Sequence, residues 1–538
     1  MSYCNVVSGQ RIQQVSSFKY LGVQVDMQLN WKEQAQQATA NTTKWIPQYR
    51  RLTRPTTGVS NKLMRQLYLA VALPKITYGL DIWYSPPLKP PGATRNTGSV
   101  GTLRCLQKVQ CTATLAITGA LRTTPTDLLD AHAGVLPMEL ALAKVCHRAM
   151  VRMLTLPDTH PLQQLINKAR RHAPSKHQGP IDHLLKTLKT ENQHEELETI
   201  TPTTEDPYYT PRFQTSIQET RELSIEQEDS DTADFKVYSD GSGFEGGIGA
   251  AAVLYKKGQA LPVRQLKAYL GPTSRHNTYE GEAVGGILAL WLICITLGTA
   301  LKRISLYIDN QAIIKASTKP KATSGQYLIR NFANEANDIG PRLSIRWISS
   351  HDDVKGNECA DKLAKEAATG RASRRADLPP SLRRTLPTSA SAKNQDHMEH
   401  LKQQWKTLWL TSPRRPRIDQ IDDTFPFPGY RMRQSKLSRE QASLLVQVRS
   451  GHFPLNLFLF RIGKSDTKQC QACRLQPDDE TPTETLTHFL FECEAYAAQR
   501  STLATIIGRD KLNLKDIMQT TKAMKAIVKY IKKTGRLE

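Results

Sequence analysis

The sequence predicts an α/β domain, a mixed sheet with flanking helices, set between two mostly helical regions. Three observations predict it. Phe235-Lys236-Val237-Tyr238-Ser239 alternates apolar and polar residues as a half-buried strand does, and Ile248 to Tyr255 reads as a second strand pairing back on it. Arg303 to Asp309 repeats the pattern of an apolar strand ending in an acid, and Ser344 to His351 is a further strand running into a loop. On either side of this region, apolar residues recur at helical spacing, in 61–73 and 138–154 before it and at Ile517, Met524, Ile527, Val528 and Ile531 after it.

The 538 residues exceed what one core serves, so two to four domains are expected. Lys and Arg number 73 against 50 Asp and Glu, a formal charge of +23. That excess favours a polyanionic partner, nucleic acid or an acidic membrane surface, with a generally basic solvated surface as the alternative. Nine cysteines are too few and too uneven for a disulfide scaffold, and Cys470, Cys473 and Cys493 crowd into one short region. The opening residues carry no secretory pattern. The uncharged run Ala283–Leu301 is long enough to span a bilayer, but it holds three glycines and follows Glu280 and Glu282 directly. It reads as a buried helix and turn, so no membrane is expected and the compartment is intracellular and reducing.

Taken in order, residues 1–165 open with strand-like Phe18–Asp26, continue with a helix from Asn61 that stops before Pro74, and are mostly helical from 103. Residues 166–234 are poor in apolar side chains and end on the acidic run Glu226 to Asp231, which predicts a disordered linker. Residues 235–370 carry the chemistry. Residues 371–396, with Arg371, Arg374, Arg375, Arg383 and Arg384, form a basic linker. Residues 397–538 begin with a Trp-bearing helix from His397 to Trp409, and Ser438 with Gln441 makes a capping box for a later helix. The short basic run Arg414 to Arg417 is compatible with nuclear import, so a nuclear location is expected.

Four acids give the middle region its chemistry. Asp240 follows the first strand into Gly241-Ser242-Gly243, where backbone can approach a phosphate closely. Glu282 sits in the first turn of a helix that Asn277 or Thr278 can cap, where an acid also suits the helix dipole for purely structural reasons. Asp309 ends a second strand, and Asp361 lies at the start of another helix. Carboxylates gathered at one sheet edge repel, and a fold keeps them together mainly where cations neutralise them. Oxygen ligands suit Mg²⁺ or Mn²⁺.

The motifs Ser239-Asp240-Gly-Ser, Thr278-Tyr-Glu-Gly-Glu282, Ile308-Asp309-Asn310 and Ser350-His351 leading to Gly356-Asn-Glu-x-Ala-Asp361 resemble the ribonuclease H domain of LINE-type retroelements. The resemblance implies a mixed five-stranded sheet with flanking helices. It further implies two Mg²⁺ or Mn²⁺ ions held by Asp240, Glu282, Asp309 and Asp361, and His351 assisting proton transfer or product release. Glu282 is chosen over Glu280 because the family's glutamate lies four residues past the threonine matching Thr278. The implied partner is an RNA/DNA hybrid, with Gly241, Ser242, His276, Asn277 and Asn310 at contact positions, though His276, Asn277 and Asn310 read equally as cap or turn residues. The chain departs from the family at Ala283 and at Asp352-Asp353 beside His351.

Cys470-x2-Cys473, then His488-x4-Cys493 fourteen residues on, has the spacing of a closed structural Zn²⁺ site. These residues, with Arg449-Ser-Gly-His452 and Thr534-Gly-Arg536, resemble the zinc-binding end of the same retroelement proteins. A nucleic-acid grip helped by Lys525, Lys529, Lys532 and Lys533 is expected there, with a merely solvated basic face as the alternative. Lys19–Asp26, Tyr78-Gly79-Leu80 with Trp83, and Leu154–Leu162 resemble the segment after the polymerase core of LINE-type reverse transcriptases, so 1–165 is expected to be a thumb-like region. No aromatic-x-Asp-Asp motif occurs, and no polymerase activity is expected. The whole reads as a hybrid-cleaving endoribonuclease; a noncatalytic nucleic-acid-binding retroelement remnant is the alternative.

Overall fold

The computed structural model describes residues 5–7, 10–12, 15–54, 57–89, 92, 94–171, 179–189, 196–202, 209–297, 302–350, 352–473 and 481–537. The chain divides into two compact units, one made of His147–His400 and the other of Met1–Cys146 together with Leu401–Glu538.

The middle unit is built on a six-stranded sheet. Its strands are β1 (Gln214–Ser216), β2 (Phe235–Phe244), β3 (Gly247–Lys256), β4 (Arg264–Pro272), β5 (Ile304–Ile308) and β6 (Leu343–Trp347), in the spatial order β1-β6-β5-β2-β3-β4. The strands β2, β3 and β4 pair antiparallel, while β5 runs parallel to β2 and β6, and β1 parallel to β6. The mixed sheet with flanking helices is as expected, but it has one strand more than the expected five, because 214–216 adds to the β6 edge. Helices α1 (Arg221–Asp229), α2 (Thr278–Leu297), α3 (Gln311–Thr318), α4 (Gln326–Ile339) and α5 (Lys355–Ala368) complete the layers.

Alternation along the strands decides which helix each face takes. Val237, Ala250, Ala252 and Leu254 face one way and pack with Ile287 and Leu290 of α2 and Phe332 of α4. Tyr238, Ala251, Val253 and Tyr307 face the other way, against Ala360, Leu363 and Ala364 of α5. Helix α2 is long and apolar enough to cross a membrane, yet 72% of its most apolar window is buried inside the protein. An apolar circumference is what a helix between a sheet and another helix requires.

The acidic stretch expected to be disordered is partly ordered. Thr220 caps α1, and the acids after it find partners on the sheet: Glu228 accepts from Lys236 Nζ at 2.7 Å, and Asp231 accepts from the Tyr307 hydroxyl at 2.8 Å and pairs with Arg346 at 3.5 Å. Charge density alone predicted repulsion; cross-element pairing answers it. The basic stretch 371–396 is docked too, with Leu378 and Leu382 inside the same core as α2. The helix expected from His397 begins earlier, at Ala390.

In the other unit, the two ends of the chain form one body rather than separate regions. Leu128, Ala131 and Leu140 share a core with Trp405, Trp409, Tyr430, Val448, Phe489 and Ile527. Arg439 donates to Ile117 and Ala116 carbonyls and to Asn61 Oδ1 at 2.5–2.7 Å. The strand-like 18–26 stretch is a hairpin, Ser17–Tyr20 with Val23–Asp26. The helix from Asn61 does not stop before Pro74. A π turn over Tyr68–Ala72 leads into a further helical turn, Leu73–Ile76, with the proline in its first two positions, where a missing N–H costs nothing.

Candidate active site

The parallel register of β2 and β5 builds the site. Ser239 sits opposite Ile308, so the next residue on each strand, Asp240 and Asp309, emerges side by side. Asp240 is therefore in mid-strand: β2 continues through Gly241, Ser242 and Gly243 paired to β3, and the turn comes at Glu245-Gly246. Gly241 does not lie open to a phosphate. A Cβ there would fall 2.0 Å from the Glu282 amide nitrogen, so the missing side chain lets the first turn of α2 press onto β2 beside Asp240. Gly249 does the same for α5, whose Ala364 carbonyl and Ala368 amide would lie 2.3 and 2.2 Å from a Cβ.

Three carboxylates meet as a result. One oxygen each from Asp240, Glu282 and Asp309 lie within 4.8 Å of one another. Asp240 is 6% and Glu282 8% exposed, and among the described residues Asp240 Oδ2 and Glu282 Oε2 have no hydrogen-bond partner. Burial, then the charges of Asp309 and Asp361, push the Asp240 carboxyl up to about 7. Burial, then Asp309 and Asp240, raise Glu282 well above the ordinary range, while a hydrogen bond from Asn310 pulls it back. Buried unpartnered carboxylate oxygens facing one another fit a bound divalent cation.

Asp361 stands apart from this trio. On α5 it is near enough to raise Asp240, but its Oδ2 accepts from Lys365 Nζ at 2.7 Å, one turn on. His351 lies outside the described residues. Glu280 is not in the cluster. Its Oε2 accepts from the Asn277 amide while Asn277 Oδ1 accepts from the Glu280 amide, both at 3.0 Å, a reciprocal cap for α2. His276 is 1% exposed, with Nδ1 3.4 Å from Glu280 Oε1. Asn310 caps α3 by accepting from the Ala312 amide at 2.9 Å, and Ser242 is half-buried on β2. Two supporting groups went unread in the sequence. Trp347 Nε1 donates to the Asp309 carbonyl at 2.9 Å and fixes the end of β5. Lys365 balances Asp361, a pairing its four-residue spacing signals.

The second cluster belongs to the other unit. One atom each of Cys470, Cys473, His488 and Cys493 lie within 4.8 Å of one another. Cys470 Sγ and Cys493 Sγ are 3.9 Å apart, and Cys473 Sγ is 3.6 Å from both Cys493 Sγ and His488 Nε2. Such separations suit the edges of a tetrahedron with Zn–S bonds of about 2.3 Å, and are too long for a disulfide. His488 Nδ1 faces Glu492 Oε2 at 4.0 Å, the outer carboxylate that commonly orients a ligating imidazole. Glu484, unread in the sequence, braces the cluster: fully buried, it takes a two-pronged pair from Arg536 at 2.6 and 2.7 Å and accepts from the Asn456 amide. His452 bonds Thr123 instead and takes no part.

No family model and no curated protein matches the chain. Similar solved structures include the PFV RNase H domain, 17% identical, covering 26% of this chain and 98% of its own at a TM-score of 0.22. LC11-RNase H1 in complex with an RNA/DNA hybrid is likewise 17% identical, covering 25% and 97% at 0.21. The Prototype Foamy Virus protease-reverse transcriptase is 14% identical over 43% of this chain and 34% of its own, also at 0.21.

Proposed function

We propose that the middle unit hydrolyses the RNA strand of RNA/DNA hybrids, with Asp240, Glu282, Asp309 and Asp361 as its metal-binding acids. The observation that carries this reading is the meeting of three carboxylates at the end of a parallel strand pair: Asp240 and Glu282 are buried, each with an oxygen that has no partner among the described residues, and Asp309 is half-buried. Two Mg²⁺ or Mn²⁺ ions there would supply an activated water and stabilise the leaving oxygen of a phosphodiester. Asp240 and Glu282 hold the shared position, Asp309 is kept in place by Trp347, and Asp361 serves from α5 once freed from Lys365. Asn277, with Glu280 and His276, fixes the start of the helix that carries Glu282, and Asn310 caps the helix that follows Asp309. The sequence motifs around each acid add the hybrid as substrate, and the excess of basic residues favours its phosphates. In the other unit, Cys470, Cys473, His488 and Cys493 hold a structural Zn²⁺, and the exposed Lys525, Lys529 and Lys533 face solvent for a nucleic-acid backbone, while Lys532 pairs with Glu440 at 2.7 Å.

The test is incubation of the full chain with a labelled hybrid at low salt, with Mg²⁺ or with EDTA, beside Asp240→Asn. Cutting of the RNA strand alone that needs Mg²⁺ and disappears in the variant is the expected result. A folded chain that binds the hybrid and never cuts it supports the noncatalytic alternative instead.

A further inference from the structure

A second site lies in the unit formed by the chain ends, well separated in sequence from the four acids. A cleft of about 630 Å³ opens between the helices Val100–Thr118 and Thr126–Ala133 on one side and residues 405–425 on the other. Its floor is aromatic. The Trp409 ring is stacked on Phe425 at 4.9 Å and 11°, and Trp405 meets Phe425 edge-on at 5.1 Å. The two tryptophans are four residues apart on one helix, which puts both on the same face.

The polar groups of the cleft are incompletely used. Trp409 is 4% exposed, yet its Nε1 has no hydrogen-bond partner among the described residues, an uncommon state for a buried indole. Asp130 is buried and accepts from Gln110 Nε2 at 3.1 Å, and that burial pushes its carboxyl up to about 8. Asp127 is already engaged by the Ser412 hydroxyl at 2.6 Å and by Arg414 at 3.9 Å. At the rim, Arg104 and Lys108 are exposed and one helical turn apart. An aromatic floor, an indole N–H without an acceptor among the described residues and two cations at the mouth complement one chemistry: a flat heterocycle joined to a phosphate.

We propose that this cleft takes an unpaired nucleobase of a single-stranded nucleic acid, packed against Trp405, Trp409 and Phe425, with the adjoining phosphates on Arg104 and Lys108. Aromatic platforms beside a basic rim hold single strands without reading their sequence, because every base has a π-face. This binding does not depend on whether the middle unit cuts hybrids.

The experiment uses the full chain without added Mg²⁺ and two fluorescent pyrimidine 12-mers, one RNA and one DNA, each carrying a single 5-iodopyrimidine. Anisotropy gives affinity, and photocrosslinking with peptide mapping gives position. Crosslinks at Trp405, Trp409 or Phe425 are expected with at least one of the two strands. Arg104→Gln with Lys108→Gln should weaken binding tenfold or more and flatten the dependence of log K on log salt by about 1.4. Trp409→Phe removes the N–H together with part of the stacking surface of the indole; a several-fold loss of affinity is expected, measured at a temperature where the variant is still folded by its own melting curve. Parent-like affinity in the rim variant, or crosslinks confined to other surfaces, overturns the proposal and leaves the cleft to a protein partner. Asp240→Asn should bind these oligonucleotides as the parent does, so failure of this site and failure of the hybrid-cutting reading are told apart.

Discussion

At the scale of single residues, the carboxylate trio sets a measurable conflict between stability and site assembly. Asp240 is raised from its ordinary 3.8 to about 7, so the folded state holds its proton more tightly than the unfolded chain does. The sign follows: this group's stabilisation is complete below about pH 4, falls as pH climbs, and is gone above about pH 7. With EDTA present, the melting temperature of the middle unit should drop across that window, Asp240→Asn should flatten the drop, and millimolar Mg²⁺ should restore the loss at pH 8. A melting curve in which Asp240→Asn melts no higher than the parent at pH 8 in EDTA would contradict the burial argument. Gly241 gives a second test. With the Glu282 amide 2.0 Å from where a Cβ would stand, Gly241→Ala must push α2 off β2. About 1–3 kcal/mol of destabilisation is expected from denaturant titration, with cleavage lost even where the fold survives. These positions were only half legible in the sequence. The four acids stand out in the sequence because each reads as the end of a strand or the start of a helix, but Asp240 lies in mid-strand rather than at a turn, and Asp361 lies in the middle of Lys355–Ala368 rather than at its start. Nothing local to Gly241-Ser242-Gly243 tells a turn from a strand whose glycines admit a helix.

At the scale of elements, a stretch read as linker proves to staple two helices. Glu198 is fully buried; one of its oxygens accepts from the Ser324 hydroxyl and the Ala390 amide, the other from the Gly325 amide. Gly325 immediately precedes α4, and Ala390 opens the helix Ala390–Leu410. A single carboxylate therefore caps two helix N-termini, each of which presents unpaired N–H groups and a positive dipole end. Backbone pairing of Glu198 and Glu196 with Thr388 holds it there. Glu198→Ala leaves those donors buried and unmatched, and a loss of about 2–4 kcal/mol is expected from charged hydrogen bonds of this kind. Hydrogen exchange should quicken at Gly325 and Ala390 specifically; uniform quickening, or none, would argue against a staple. The sequence could not show this, because Glu198 sits in a polar stretch whose partners lie more than a hundred residues away. Patterns that are local were readable: the Ser438–Gln441 capping box has both of its hydrogen bonds, and the predicted run 138–154 is one helix, Met138–Leu154. Pro74 misled for the opposite reason, since a π turn absorbed a break that a regular helix would not.

At the scale of the whole molecule, the two units predict two separately controlled transitions. In the unit of the chain ends, Arg449 is fully buried between the rings of Phe427 and Tyr430, 4.5 and 4.2 Å from their centroids, and pairs with Asp422 at 3.0 Å. Its Nε lies 3.2 Å from Nε2 of His132. Burial, then the Arg449 charge, hold His132 down to about 3, so the ring is neutral and its Nε2 accepts while Nδ1 donates to the Leu128 carbonyl at 2.8 Å. His132 comes from the first segment of the chain, Arg449 and the four zinc-type ligands from the last, and both segments feed one apolar core. Loss of the Cys470, Cys473, His488 and Cys493 cluster must therefore loosen helices some 350 residues earlier in sequence, whereas the middle unit has its own core. In calorimetry of the full chain, a zinc chelator should lower one transition and leave the other in place. Mg²⁺ at pH 8 should raise only that other transition. Arg449→Met should destabilise the chelator-sensitive unit alone, by about 2–4 kcal/mol, since Asp422 Oδ2 loses its cation while Oδ1 keeps its bonds from Thr424. Should the chelator move both transitions together, or neither, the shared core of the chain ends would not be coupled to the cysteine–histidine cluster as the packing requires.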